Sequence, residues 1–349
     1  MKIKKNKTKI FFYSTFLSPY QKDFFEEIKK DSTLKVKAIF INKIIPNYKF
    51  QKKPNYWYNY LENVNLLKEI DRFKTNLLII GGYKVRLILQ LIILCLKKKI
   101  PFCLWLEYPK RRIFFLDILR NILIFTIAKH AKFILAIGLT AQKFYKNFNN
   151  KVVNFPYSIN LEDYKKKKIY PSSYKKITFI FVGQLIHRKG IDQLIKAFNL
   201  LNYKNAYLKI LGSGNYEKKI IKLTNKNISY LGFLNQKNIV KHLYKSDILI
   251  FPSRFDGWGN VVTQAMAVGL AIIGSKSAIA IKDLVKDRFN GVICKTDKYS
   301  ILKSMEYYLH NFKKIKIHGQ INKNKIFKSL CNSKIAARYF KNNVLEIVK

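Results

Sequence analysis

Residues 247–275, DILIFPSRFDGWGNVVTQAMAVGLAIIGS, hold the side chains whose types and spacing are best suited to chemistry. An apolar run at 248–251 stops at Pro252, and Asp256 then opens a loop with two spaced glycines, Gly257-Trp258-Gly259. Residues 260–268 follow with helical spacing up to Gly269, and 270–273 form a second apolar run. The order is strand, loop, helix, strand. Glycines let backbone N–H groups come close to a ligand, and a helix start adds the positive end of its dipole. The backbone at Gly257, Trp258, Gly259, Asn260 and Val261 is therefore expected to seat an anion such as a nucleotide diphosphate. Asp256 stands at the mouth of that seat, and Gln264 lies roughly one to two turns inside the helix.

A second segment supplies cations. FVGQLIHRKG, residues 181–190, leaves a strand through Gly183 and enters a helix with Arg188 and Lys189 adjacent. A cation pair at a strand exit suits a diphosphate, and a lysine can act as a point charge on a leaving phosphate. Taken alone, the pair reads equally well as solvated surface in a chain with 58 lysines. Glu107, in FCLWLEYP, sits at the exit of a strand expected at 102–105. It reads either as a surface residue before a turn or as an acid directed at a ligand. Among the histidines only His187 lies near these motifs.

The elements that must position these residues are clearest in the second half. Strands are expected at 177–182, 207–211, 228–233, 247–251, 270–273 and 291–294. Helices are expected at 191–201, 216–223, 237–244, 260–268 and 279–285. The strands are continuous apolar runs alternating with helices, which predicts a parallel sheet covered on both faces. Ligands in such sheets sit beyond the carboxyl ends of the strands. Gly183, Gly212 and Gly214, Phe233 and Pro252 all fall on that edge.

The first half repeats the rhythm less clearly. Its strands are expected at 9–15, 34–41, 77–80, 102–105 and 133–137, and its helices at 21–30, 84–98, 113–128 and 140–148. Hydrophobicity drops over 160–176, which marks a joint. The domains expected are 1–165 and 166–330, with 331–349 a helical segment packing back on the first.

Composition bounds the class. A chain of 349 residues with 49% hydrophobic residues is globular and long enough for two cores. Its formal charge of +47 comes from 58 lysines and only 9 arginines. A sequence-reading nucleic-acid binder favours arginine for bidentate contacts, so the excess reads as solvated lysine with no specific nucleic-acid partner. The field still attracts anionic lipids and polyphosphates. Cys95, Cys103, Cys294 and Cys331 show no metal-ligand spacing and are expected to be reduced core residues, which fits a cytoplasmic location. The basic and then apolar start reads as a first strand rather than a secretion signal. No stretch of 18 uncharged apolar residues exists. Residues 110–132 have basic ends around an apolar middle and read either as a core helix or as a helix lying in a membrane interface.

Together VGQLIHRKGIDQLIKAF, ILGSG, ISYLGF and SRFDGWGNVVTQAMAVG resemble the retaining nucleotide-sugar glycosyltransferases of family 4, of the bacterial surface-polysaccharide type. The resemblance is strong over residues 177–294 and weak in the first half. It implies a GT-B fold, in which two Rossmann-like domains face a central cleft. The N-terminal one holds the acceptor and the C-terminal one the nucleotide sugar. It further implies transfer from a UDP- or GDP-linked sugar to a growing, lipid-linked glycan such as lipopolysaccharide, at the inner face of the membrane, with no metal or cofactor.

The family's hallmark is two glutamates separated by seven residues, and here those positions hold Asp256 and Gln264. The resemblance puts Asp256 by the donor sugar and Gln264 on the ribose. Lys189, with Arg188, falls on the diphosphate, and Glu107 faces the sugar. Gln184 stands where many relatives carry an arginine. With both hallmark residues changed, the alternative is a nucleotide-sugar-binding or scaffold protein with weakened turnover.

Overall fold

The computed structural model describes residues 7–15, 17–41, 58–61, 65–81, 85–110, 114–170, 176–224 and 226–347. Lys84, Arg111, Arg112, Ile113 and the stretch 171–175, all used in the sequence reading, lie outside the described residues. The chain forms two compact units. One comprises residues 1–160 and 333–349, the other 161–332.

The first unit holds β1 (Thr8–Ser14), α1 (Pro19–Ile28), β2 (Leu34–Phe40), β3 (Tyr58–Tyr60), α2 (Leu66–Arg72), β4 (Leu77–Gly81) and α3 (Val85–Lys97). It continues with β5 (Phe102–Leu106), α4 (Phe114–Ala128), β6 (Phe133–Ala136), α5 (Leu139–Tyr145) and β7 (Val152–Asn154). All seven strands run parallel, in the order β3-β2-β1-β4-β5-β6-β7. β4 is buried throughout, so its run of apolar residues covers both faces of the sheet.

The second unit holds β8 (Ile177–Val182), α6 (Ile191–Leu200), β9 (Ala206–Leu211), α7 (Glu217–Ile221), β10 (Ile228–Tyr230), α8 (Gln236–Tyr244) and β11 (Ile248–Phe251). It closes with α9 (Asn260–Val268), β12 (Ala271–Ser275), α10 (Ile279–Leu284), β13 (Val292–Cys294), α11 (Lys298–His310) and α12 (Lys313–Phe327). Its six parallel strands follow the order β10-β9-β8-β11-β12-β13. In sequence rank this is 3-2-1-4-5-6, a Rossmann-like arrangement. The strand order reverses between β8 and β11, which pair through Ile248 with Phe179 and Leu249 with Ile180. A crevice forms outside the carboxyl ends at such a reversal. The segments leaving those two strands are those with Arg188-Lys189 and Asp256.

The last segment, α13 (Ser333–Tyr339), packs on α1 of the first unit. The expected helix at 333–347 is regular only to Tyr339. A π-turn at Phe340–Val344 and a 3₁₀ turn at Leu345–Ile347 follow. The wider turn points both Phe340 and Val344 inward, and Phe340 meets Phe24 edge-on at 5.4 Å between ring centroids. The strand expected at 228–233 stops at Tyr230, because Gly232 turns the chain with a φ of 67°. Five elements carried no expectation: β3, α2, β7, α11 and α12. The four cysteines are free and buried, and burial pushes the Cys103 thiol well above its ordinary value.

Candidate functional site

The segment leaving β8 turns through Gly183 and a 3₁₀ turn, His187–Lys189, into α6. The segment leaving β11 runs through Pro252 to Asp256 and into α9. Lys189 Nζ forms an ion pair with Asp256 Oδ2, and each side chain is 13% exposed. Arg188 Nη1 lies 4.0 Å from the same oxygen and donates to the Phe255 carbonyl at 2.9 Å. Arg188 Nη2 also reaches Gln184 Oε1 at 3.4 Å. Two loops separated by almost the whole of two βαβ units thus meet in one carboxylate and two cations. Lys189 Nζ also lies 5.4 Å from the Phe251 ring centroid.

Arg254 fastens the two loops together and was not anticipated. Its guanidinium forks onto Asp192, with Nη1–Oδ1 at 2.7 Å and Nη2–Oδ2 at 2.8 Å. It also donates to the His187 carbonyl. Burial raises the Asp192 carboxyl, but the hydrogen bonds from Arg254 and Gln193 outweigh it and hold the group below the usual range. One signal could have found Arg254. Among 67 basic residues only 9 are arginines, and Arg254 stands two residues before Asp256.

α9 is preceded by Gly259, whose φ of 100° only glycine takes readily, and a Cβ there would lie 2.8 Å from the Phe251 ring. No side chain caps the helix start. Four buried polar atoms at this helix have no hydrogen-bond partner: Trp258 Nε1, Asn260 Oδ1, Thr263 Oγ1 and Gln264 Nε2. Asn260 and Gln264 are one turn apart on the same face. Gln264 is 2% exposed. Buried polar groups are paired in the great majority of cases, so a run of orphans on one short segment points to a polar ligand. Asp256 itself is fixed through its backbone, which pairs with Ser277 and Ile279.

The other predicted loops border the same strand edge. Gly212 has a φ of 136°, and a Cβ on it would meet the Gly183 carbonyl oxygen at 1.9 Å. The β8 and β9 loops therefore touch backbone to backbone. Leu185 N–H donates to the Ser213 carbonyl at 2.8 Å, and Tyr216 N–H to the Leu185 carbonyl at 2.9 Å, with Gly214 between. Gly212 N–H donates to the Gly232 carbonyl at 2.8 Å, next to the exposed Phe233. Gly257 is buried and Val261 half-buried.

Glu107 belongs to the first unit and follows β5, where Oε1 accepts from the Tyr157 hydroxyl at 3.1 Å and the backbone carbonyl accepts from Tyr145 at 2.7 Å. Among the described residues no group of three or more His, Cys, Asp or Glu is placed to hold a metal ion.

Residues 163–325, which lie within the second unit, match the family described as glycosyl transferases group 1. An uncharacterized glycosyltransferase of Methanocaldococcus jannaschii is 33% identical over 147 residues, covering 40% of this chain and 34% of that protein. The chain spans between 34% and 40% of the length of the first curated relatives it matches. Among solved structures, the Anabaena protein HepE in complex with UDP superposes with a TM-score of 0.75 at 13% identity, covering 97% of this chain and 100% of that one. The lipopolysaccharide outer core galactosyltransferase WaaB superposes with a TM-score of 0.72 at 14% identity, covering 97% and 99%. These likenesses show the fold, which is α/β and GT-B with two Rossmann-like domains.

Proposed function

We propose that the chain is a glycosyltransferase that moves a sugar from a nucleoside diphosphate donor, UDP- or GDP-linked, to a growing lipid-linked surface glycan with retention of configuration. The observation that carries this reading is the meeting of Arg188, Lys189 and Asp256 beside the uncapped start of α9, at the point where the strand order reverses. The match to glycosyl transferases group 1 supports it, as does the likeness to a fold that elsewhere holds UDP and UDP-glucose.

In this reading the diphosphate lies against the backbone N–H groups of residues 257–261. Lys189 and Arg188 stabilise the negative charge that develops on the leaving diphosphate, which is where a transferase gains most. Asp256 orients the donor sugar and holds Lys189 in place before the donor arrives. Gln264 and Asn260 offer amide groups to the ribose, which satisfies atoms otherwise orphaned. No metal ion or cofactor takes part. Glu107 faces the donor sugar, the first unit holds the acceptor, and the protein works peripherally at the cytoplasmic face of the membrane.

The test is a thermal-shift panel of UDP, GDP and their sugars, followed by transfer assays on the donors that stabilise the protein. A rise in melting temperature with one nucleotide series and turnover of its sugar are the expected results. Binding without turnover of any donor would favour the scaffold reading, which the replacement of both hallmark glutamates motivates. No shift with any nucleotide would remove both.

A further inference from the structure

The outward side of α4 inverts the pattern of a helix on a water-soluble protein. Positions 115, 118, 119, 122 and 125 recur at helical spacing and form one face. They hold Phe115, Ile118, Leu119, Ile122 and Phe125, all exposed, with Phe115 at 64% and Ile122 at 58%. The opposite side, with Ile124, Ile127 and Ala128, packs into the core of the first unit. Arg120 is turned along the helix, giving Nη1 to the Lys110 carbonyl at 2.8 Å and Nη2 to Asn121 at 3.1 Å.

α3 adds to this face. Its crossover from β4 to β5 and that of α4 from β5 to β6 run the same way along the sheet, and such crossovers are right-handed. Both helices therefore cover the same side, and both contribute to one core cluster. The outward stripe of α3 is Leu89, Ile93 and Leu96, again at i, i+4 and i+7 and all exposed. At these exposures the two helices present on the order of 700 Å² of apolar surface, beyond the largest patch of an ordinary monomer.

The rim is basic. Lys97 and Lys99 at the end of α3, and Lys129 and Lys132 at the end of α4, are all exposed on one edge of the layer. A second copy of the chain seated on this face would bring lysine rims toward each other under a formal charge of +47 per chain. An anionic surface takes the same lysines with attraction. α4 has 15 residues, about 22 Å at 1.5 Å per residue, which is shorter than a bilayer core of about 30 Å. Among the described residues no helix is long and apolar enough to cross a membrane.

We infer that the outward face of α3 and α4 is a docking surface for an anionic lipid bilayer, with the two helices lying in the interface and Lys97, Lys99, Lys129 and Lys132 on the headgroups. This deepens the membrane-side placement proposed above by naming the surface that makes the contact. It depends on none of the donor-site residues.

The experiment is flotation of the full chain with phosphatidylcholine vesicles, with and without about a third phosphatidylglycerol, at low and moderate ionic strength. The wild type is expected to float with the anionic vesicles, and more weakly as salt rises. Ile122→Glu with Phe125→Glu should lower the bound fraction about tenfold or more while melting temperature and nucleotide-induced thermal shift stay unchanged. Those positions face solvent, so folding is not at stake. Lys129→Glu with Lys132→Glu should weaken binding to anionic vesicles only. Absence of flotation at low salt would overturn the inference. So would a concentration-dependent dimer in sedimentation velocity that the Ile122 and Phe125 substitutions abolish. Loss of nucleotide binding in the wild type would strike the donor reading and leave this one standing.

Discussion

Lys189→Ala separates the chemical role of the Lys189–Asp256 pair from its structural one. The substitution removes the cation in direct contact with Asp256 and leaves Arg188 at 4.0 Å. Breaking a largely buried pair strands a charge at a cost of about 3–5 kcal/mol. Arg188 remains nearby and the two side chains keep 13% exposure, so the expected loss of folding stability is about 1–3 kcal/mol. The chemical loss is larger. Removing one stabiliser of a developing oxyanion costs about 100- to 1000-fold in kcat, or about 2.7–4 kcal/mol. Transfer measured well below the melting temperature should therefore fall about 100-fold or more, chiefly in kcat.

Lys189→Ala combined with Asp256→Asn removes the stranded carboxylate. Its melting temperature should recover while its transfer rate does not. A Lys189→Ala rate within a few-fold of wild type would remove Lys189 from the leaving group. A rate that returned together with stability in the double variant would reduce the effect to damage of the fold.

Gln264→Glu should keep or tighten nucleotide binding in calorimetry, and Gln264→Leu should loosen it about tenfold, because an amide partner is lost at a buried site. A collapse of binding in Gln264→Glu contradicts the ribose assignment. Gly212→Ala should lower stability by about 3 kcal/mol or more in denaturant unfolding, since the new Cβ would overlap the Gly183 carbonyl at 1.9 Å and the φ of 136° is strained. A loss under 1 kcal/mol, roughly the cost of an exposed helical glycine exchange, would mean that the two loops do not touch in solution.

Asp31 gives a pH prediction. Burial raises its carboxyl, but hydrogen bonds from Lys341 and Thr33 outweigh this and bring it to about 2. A carboxyl lower in the folded state adds stability above its unfolded value and loses it as pH falls toward 2. Hydrogen exchange across residues 333–347 should therefore quicken between about pH 4 and 2 beyond the intrinsic change, and less so in Asp31→Asn.

The second sheet was readable because its strands are uninterrupted apolar runs. β8 lies where 177–182 was expected and α9 where 260–268 was. α12 escaped notice for a physical reason. Its buried stripe includes His318 and Asn322, which break the apolar period. Both are satisfied by partners outside α12: Tyr308 hydroxyl at 2.8 Å from His318 Nδ1, and the Leu270 and Asn290 carbonyls at 2.9 and 3.0 Å from Asn322 Nδ2. β3 and β7 have three residues each and exist through pairing with β2 and β6, so no local pattern marks them. At the site, the residue types and strand exits were legible. The ion pair of Lys189 with Asp256 and the fork of Arg254 on Asp192 were not, because they join segments more than 60 residues apart.

Phe340 closes over Phe24 and Phe155 with residues translated after the entire second unit. While the ribosome is still making residues 161–332, the aromatic cluster around α1 stays open on that side. Nascent chains are then prone to self-association for as long as that synthesis lasts. Ribosome-bound chaperones that shield apolar surface are expected to hold this protein until residues 333–347 emerge.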